Sequence, residues 1–290
     1  MQEQTGTSSE ETTSNCSTSR CSTTAVILSF NSARTISKCL STLTDDSSEA
    51  PGPERIIVVD NGSTDDSRKL IEGFAEKHSH IQLIALETNH GTTYSRNRAL
   101  DLVDTDTVLI LDSDAYMPAN VLKILRDELA ASPEVGIIAP RLEYPDGRYQ
   151  LSTDQFPTAI QKIKRYFFLR AMERSDEAPR STVDYAISAT WLLRTEAMKA
   201  VGQFDEKIFY SPEDVDYCMR VWKAGYQVMY EPSAVVVHDA QELSRSRIPN
   251  RFTFSHGLGL LYYFRKHGYL FSPSRICKKH SIPRNHLARQ

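Results

Sequence analysis

No stretch of this 290-residue chain approaches the roughly 20 consecutive apolar residues that a membrane-spanning helix needs. Its first residues also lack the charged-then-apolar start of a secretory signal, so a cytoplasmic protein is expected. Neither sign of charge dominates: 34 Lys and Arg face 37 Asp and Glu, a formal net charge of -3. Nothing global gathers phosphate, which argues against a protein that binds nucleic acid. Cysteine is scarce and unpaired. Cys16, Cys21, Cys39, Cys218 and Cys277 are odd in number and lack the spacing of a zinc site or a disulfide framework. They read as reduced thiols, partly buried as small apolar groups. From Met1 to Thr24 there is no aromatic residue and almost nothing aliphatic to bury. Residues 1–23 are therefore expected to be a disordered Ser/Thr-rich tail. The whole chain is nevertheless 40% hydrophobic and 24% charged, a composition that suits one large soluble domain or two small ones.

Order begins at Ala25-Val-Ile-Leu-Ser-Phe30, an apolar run that predicts a strand buried on both faces, followed by a helix over Ser32–Leu43. Ile56-Ile-Val-Val59 reads as the next strand, and Asp60-Asn-Gly-Ser63 forces a turn after it. A helix over Ser67–Lys77, a strand over Ile81–Leu86, a helix over Thr93–Leu102 and a strand over Val108–Leu111 follow. Strands alternating with helices imply an α/β fold whose mostly parallel central sheet is sandwiched between helix layers. In such sheets the ligand crevice lies beyond the carboxyl ends of the strands. Those ends carry Asn31, Asp60 and Asp112-Ser113-Asp114, so three polar clusters are expected to converge.

Farther on, Pro118–Ala131 predicts a helix and Val135–Ala139 a strand, whereas Tyr144–Arg180 is polar, aromatic and basic without clean period. Strand and helix signals resume at Trp191–Leu193, Ala197–Val201, Asp214–Lys223 and Tyr226–Tyr230, and there is no internal repeat. After Glu242 the chain has no Asp or Glu but ten Lys and Arg, interleaved with aromatic residues such as Tyr262, Tyr263, Phe264 and Phe271. Residues 245–290 are expected to form a basic, aromatic, helical segment. Such a segment can lie on an anionic membrane surface or simply pack on the domain before it.

Asp112 and Asp114 present hard oxygen ligands at the rim of the sheet, and two carboxylates so close repel unless a cation sits between them. A solvated turn or a helix cap is the plainer alternative. Glu213, Asp214 and Asp216 stand at the opening of a helix, where the macrodipole favours acidic groups. A carboxylate held there could equally serve as a general base. His238 ends the apolar run Ala234-Val-Val-Val237 and is either structural or a ligand. Imidazole with carboxylates suits Mn2+ better than Ca2+.

The ordered series Ser29-Phe-Asn31, Val58-Val-Asp-Asn-Gly-Ser-Thr-Asp65, Asn89-His-Gly91, Ser95-Arg-Asn97, Leu111-Asp-Ser-Asp114, Gly202-Gln-Phe-Asp205, Pro212-Glu-Asp-Val-Asp-Tyr-Cys-Met-Arg220 and His238 resembles the inverting family-two glycosyltransferases of GT-A fold, especially their bacterial rhamnosyltransferase-like branch. The resemblance implies a Rossmann-like, nucleotide-sugar-binding sandwich over 24–244, with a nucleotide-binding half at 24–115 and an acceptor half at 116–244. It implies that Asp60 accepts from the base of a nucleoside diphosphate, beside Phe30 and Asn31, and that Asn89, Arg96 and Asn97 close over ribose and diphosphate. Arg96 would also offer charge to the leaving group. Asp112 and Ser113 would join the donor site, Asp112 meeting the ribose or the metal's water. Asp114 and His238 would hold Mn2+ or Mg2+.

On the acceptor side, Asp214 matches the family's base, with Glu213 the second candidate. Asp216 either faces the acceptor or orders its helix, and Trp191 either stacks on a sugar or belongs to the core. Ser244 and Arg245 are candidate diphosphate contacts. Ser188-Ala-Thr190 and Ser211-Pro212 depart from the family pattern, so the acceptor's identity does not carry over. The expected function is transfer, with inversion, of a sugar from a UDP- or dTDP-sugar to a hydroxyl of a glycan or lipid-linked acceptor in cell-surface polysaccharide synthesis. A nucleotidyltransferase would show a Gly-rich basic loop near the first strand, and none lies between Phe30 and Thr44. A catalytically inactive nucleotide-sugar or glycan-binding module is the remaining alternative. It predicts lost ligands, whereas Asp60, Asp112, Asp114, Asp214 and His238 are all present.

Overall fold

Burial is continuous along the central strands, with successive residues entering two opposite cores, and that decides the architecture. The computed structural model describes residues 21–45, 50–158, 179–240 and 251–282. In chain order the first half contains β1 (Thr23–Ser29), α1 (Ile36–Leu43), β2 (Arg55–Asn61), α2 (Ser67–Lys77), β3 (Ile81–Leu86), α3 (Thr92–Leu100), β4 (Thr107–Asp112), β5 (Ala115–Tyr116) and α4 (Ala119–Ala131). Then come β6 (Val135–Glu143), β7 (Tyr149–Gln150), β8 (Thr153–Asp154), β9 (Ser181–Thr182), β10 (Tyr185–Ala186) and β11 (Thr190–Arg194). The series ends with α5 (Thr195–Val201), α6 (Glu213–Lys223), β12 (Gln227–His238), α7 (Arg251–His267) and α8 (Ser274–Lys279).

Val26, Ile57, Val59, Val108 and Ile110 pack into one core with α3, α5, α6 and α7. Their neighbours Ala25, Ile27, Ile56, Val58, Leu109 and Leu111 pack into the other with α1, α2 and α4. A strand apolar on both faces can exist only between two helix layers, and this sheet has them. The strand order is β3-β2-β1-β4-β11-β6-β12-β5. Pairing is parallel from β3 to β4 and between β6 and β12, while β11 runs antiparallel between β4 and β6. The register sets Ser29 beside Asp60 and Leu28 beside Asp112, so the expected polar clusters lie along one sheet edge.

Several boundaries differ from the sequence expectation. β1 begins at Thr23, before the apolar run, because hydrogen bonds carry it: the Thr23 N–H donates to Glu54 (2.7 Å) and its hydroxyl pairs with that of Thr107 (2.8 Å). The helix expected from Ser32 begins at Ile36, since the Ser32 carbonyl accepts from both Thr35 and Ile36 in a turn (2.9 Å each). The runs Tyr226–Tyr230 and Ala234–Val237 belong to a single strand, β12, with an irregularity between Glu231 and Val235. Pro232 lies inside it and has no N–H to give the ladder, which localises the break. Residues 1–20, most of the Tyr144–Arg180 region, and Ser244 with Arg245 lie outside the described residues.

The C-terminal helices pack on the first core. Tyr263 is fully buried, and its hydroxyl pairs with that of Tyr269 at 2.6 Å. Gly259 permits close approach, since a Cβ there would overlap the Ser211 carbonyl oxygen. The anchor is Asp216 on α6, whose side chain is only 1% exposed. It takes hydrogen bonds from Arg220 (2.9 Å) and His267 (2.9 Å) and pairs with Lys266 at 2.7 Å. His267 Nδ1 in turn meets Lys223 Nζ at 2.7 Å. Burial pushes the Asp216 carboxyl up, but the His267 hydrogen bond and the charges of Arg220 and Lys266 outweigh it and hold the pKa down at about 2.

Because the folded value lies below that of an unfolded Asp, the stability this carboxylate contributes is present above about pH 4 and is lost as pH falls toward 2. Asp216→Asn is expected to cost about 2 kcal/mol at pH 7, measured by urea unfolding. The gap between variant and parent should narrow on acidification, and equal stability at pH 7 would refute the anchoring role.

Candidate active site

The donor end is built where β1 and β2 finish. Asp60 is fully buried, and its Oδ2 accepts from the Ser63 N–H and from Arg68 Nε, each at 3.3 Å. Its Oδ1 is buried without a partner. A carboxylate oxygen left dry in this way costs free energy that a ligand N–H can recover. Phe30 is half-buried beside it. Asn31 adopts a φ of 50°, a left-handed conformation that Asn tolerates better than most residues, and its Oδ1 accepts from the Thr64 N–H at 2.9 Å. The two loops after β1 and β2 are thus stitched into one rim. Asn89, half-buried, spends its Oδ1 on the Gly91 N–H (2.9 Å) and on Asn61 Nδ2 (3.1 Å), shaping the entry to α3.

A second group of donors forms beyond β4. One ligand atom each from Asp112, Asp114 and His238 lies within 4.8 Å of the others. Sequence distance is overcome by β5, which pairs with the end of β12 so that Ala115 sits opposite His238. His238 Nε2 then stands 3.3 Å from Asp114 Oδ1. On its far side, Nδ1 lies 2.9 Å from Gln150 Oε1. A neutral His238 that donates its Nδ1–H to that amide oxygen would turn its Nε2 lone pair toward the carboxylates. Two carboxylates and a neutral imidazole are a fitting donor set for Mn2+ or Mg2+. Ser113, between them, is buried, and its hydroxyl pairs with Ser32 at 2.7 Å.

A buried guanidinium joins this cluster to the acceptor-side acids. Arg96 is 2% exposed; it donates to Asp112 Oδ1 (2.6 Å), to the Ser188 hydroxyl (2.8 Å) and to the Ser188 carbonyl (3.2 Å). It also lies 3.6 Å from Glu213 Oε1. Burial raises the Asp112 carboxyl above its usual range, with Arg96 opposing. Glu213 is pushed up to about 8 by burial first and the Asp214 carboxylate second, again against Arg96. Asp214 is the more open of the acidic pair, and its Oδ1 accepts from the Val215 N–H at 2.7 Å.

These contacts correct two sequence expectations and decide two alternatives that the sequence left open. Arg96 is 2% exposed and directs its two terminal nitrogens to Asp112 and Ser188, not over a ribose or diphosphate. Asn97 is buried away from the rim, pairing with the backbone of Phe204 and with Glu206. Trp191 is fully buried against Phe204 and Tyr217, so it cannot stack on a sugar. Asp216 faces α7 and not the acceptor. Gln150 is not singled out by sequence, because a two-residue strand carries no periodicity or motif, and Ser188 is marked there only as a departure from the family pattern. Gln150→Leu is expected to weaken Mn2+ binding about tenfold by freeing the His238 tautomer, as titration calorimetry would measure; unchanged affinity would show that the imidazole needs no such support.

Residues 24–202 match the family described as Glycosyl transferase family 2. Over 197 residues, 68% of its length, the chain is 32% identical to the pre-mycofactocin glycosyltransferase of Mycobacterium tuberculosis, of which it spans 40%. It is 27% identical over 208 residues to the N-acetylglucosaminyl-diphospho-decaprenol L-rhamnosyltransferase of the same organism, covering 64% of this chain and 66% of that protein. Among solved structures, S. aureus TarS 1-349 in complex with UDP-GlcNAc aligns with a TM-score of 0.60 at 20% identity, over 91% of this chain and 74% of that one. The likeness is one of GT-A fold, and the sequence match carries the kinship: the chain belongs to glycosyl transferase family 2.

Proposed function

We propose that this chain is a metal-dependent inverting glycosyltransferase of the cytoplasm, moving a sugar from a UDP- or dTDP-sugar to a hydroxyl of a glycan or lipid-linked acceptor in cell-surface polysaccharide synthesis. The observation that carries the reading is the contact series from His238–Asp114 to Asp112–Arg96 and Arg96–Glu213. It joins a candidate cation site to a pair of acids suited to proton transfer. A relative named as a rhamnosyltransferase of a lipid diphosphate and a structural neighbour in complex with UDP-GlcNAc support the donor and acceptor classes.

The open Asp60 oxygen suits the imide N–H of uracil or thymine, with Phe30 and Asn31 framing the base and Asn89 at the next turn. Asp112, Asp114 and His238 would hold Mn2+ or Mg2+, which supplies positive charge to the departing diphosphate when bound. Asp214 takes the proton of the acceptor hydroxyl as that oxygen bonds to the anomeric carbon. The carbon–oxygen bond to the diphosphate breaks on the opposite face, and its electron pair leaves with the diphosphate. Displacement in one step inverts the centre through an oxocarbenium-like transition state. Burial and the neighbouring Asp214 carboxylate favour the protonated form of Glu213, which makes Asp214 the first candidate for the base.

Thermal unfolding with UDP, dTDP, GDP and CDP, each with and without Mn2+, tests the donor site, since a ligand of the folded state raises the melting temperature. A metal-dependent rise with UDP or dTDP is expected; no rise with any nucleotide overturns the reading. Asp214→Asn should keep that rise while transfer falls by about two to four powers of ten. Loss in Glu213→Gln with an active Asp214→Asn would exchange the two roles.

A further inference from the structure

Exposed apolar surface and unopposed positive charge coincide on the outer face of the C-terminal helices. Leu258, Leu261, Leu270 and Phe271 are 54%, 66%, 43% and 67% exposed. Among the described residues, the other exposed large hydrophobics are Leu102 and Phe209, which stand apart from each other in the chain. Leu258, Leu261 and Arg265 recur at three- and four-residue steps and so share one stripe of α7. The opposite stripe, with Gly259, Tyr263 and His267, is the one that meets the domain. Arg275, Lys278 and Lys279 are exposed on α8.

We infer that this outer face docks on the surface of an anionic lipid bilayer. Charge selects the occupant: Arg265, Arg275, Lys278 and Lys279 are exposed on these helices, and no Asp or Glu follows Glu242 in the chain. A second copy of the chain would bring like charges together. Leu and Phe enter the headgroup boundary while Arg and Lys meet lipid phosphates. The contact is interfacial, since no described helix is long and apolar enough to cross a membrane.

The position of α7 gives the docking a consequence. His256 Nδ1 lies 2.7 Å from the Ser211 hydroxyl, two residues before Glu213. The outer face is therefore separated by one helix, about 10 Å in diameter, from the loop that opens α6. A lipid-linked acceptor would then share a surface with the chain, a consequence that rests on the transferase reading; the docking itself does not.

Co-sedimentation of the intact chain with phosphatidylcholine vesicles, with and without phosphatidylglycerol, tests the docking. Binding only to the anionic vesicles, weakening as salt rises, is expected. Leu261→Ser with Phe271→Ser should weaken it at least about tenfold. Arg275→Gln with Lys278→Gln and Lys279→Gln should weaken it about a hundredfold. Both variants should keep the parent's melting temperature, because all five side chains are exposed. An intact chain that stays in the supernatant overturns the proposal, as do variants that bind like the parent. A dimeric parent made monomeric by the Leu261→Ser and Phe271→Ser pair would give the face to a second copy instead. Nucleotide-induced melting shifts report the donor site separately, so failure of one reading leaves the other measurable.

Discussion

Arg96 is 2% exposed, and a guanidinium held so far from water costs several kcal/mol unless its hydrogen bonds and counter-charge are supplied in place. They come from three separate elements: Asp112 at the end of β4, Ser188 just before β11, and Glu213 at the start of α6. Moving any one of them would strand a buried charge, so the guanidinium fixes the spacing between the cation cluster and the acceptor-side acids. It also divides the labour. Arg96 directs its terminal nitrogens to Asp112 and Ser188, and under the proposed function the ion at Asp112, Asp114 and His238 would stand nearer the departing diphosphate.

The sheet makes this arrangement reachable. Because β11 runs antiparallel to β4, the residues before β11 return to the same edge where β4 ends, and the Asp112 N–H donates to the Ala189 carbonyl at 2.9 Å. β12 delivers His238 to that edge from the other side, and the short strands β5 and β7 bring Asp114 and Gln150 to its two nitrogens. α6 is held from behind by Asp216 and the C-terminal helices, which steadies Glu213 and Asp214 on its first turn. One helix thus presents acids to both sides, those at its first two positions toward Arg96 and the rim, and Asp216 toward α7.

Much of the fold was legible because the strands are buried on both faces and the intervening helices are amphipathic; α2 and β3 have the limits that the periodicity predicts. Boundaries failed where hydrogen bonds, not apolar pattern, make the structure, as with Thr23 in β1 and Ser32 before α1. In the site, residue types named the chemistry but not the direction of each side chain. Asn97 stands in its motif and points elsewhere, and for Trp191 and Asp216 the structure chose the core and the helix anchor over the acceptor, since adjacent residues on a helix or strand face different neighbours.

The sequence by itself determined the layered α/β fold, the order of the polar clusters along the sheet edge and the kinship with glycosyl transferase family 2, because hydrophobic period and motif order are properties of the chain. Only the tertiary structure decided which acids cluster with His238, that Arg96 is buried against Asp112, and that Gln150 and Ser188 contact these groups. Those facts depend on pairing between residues far apart in the chain, such as His238 with Asp114 and Gln150, and no local pattern encodes a distance across a fold.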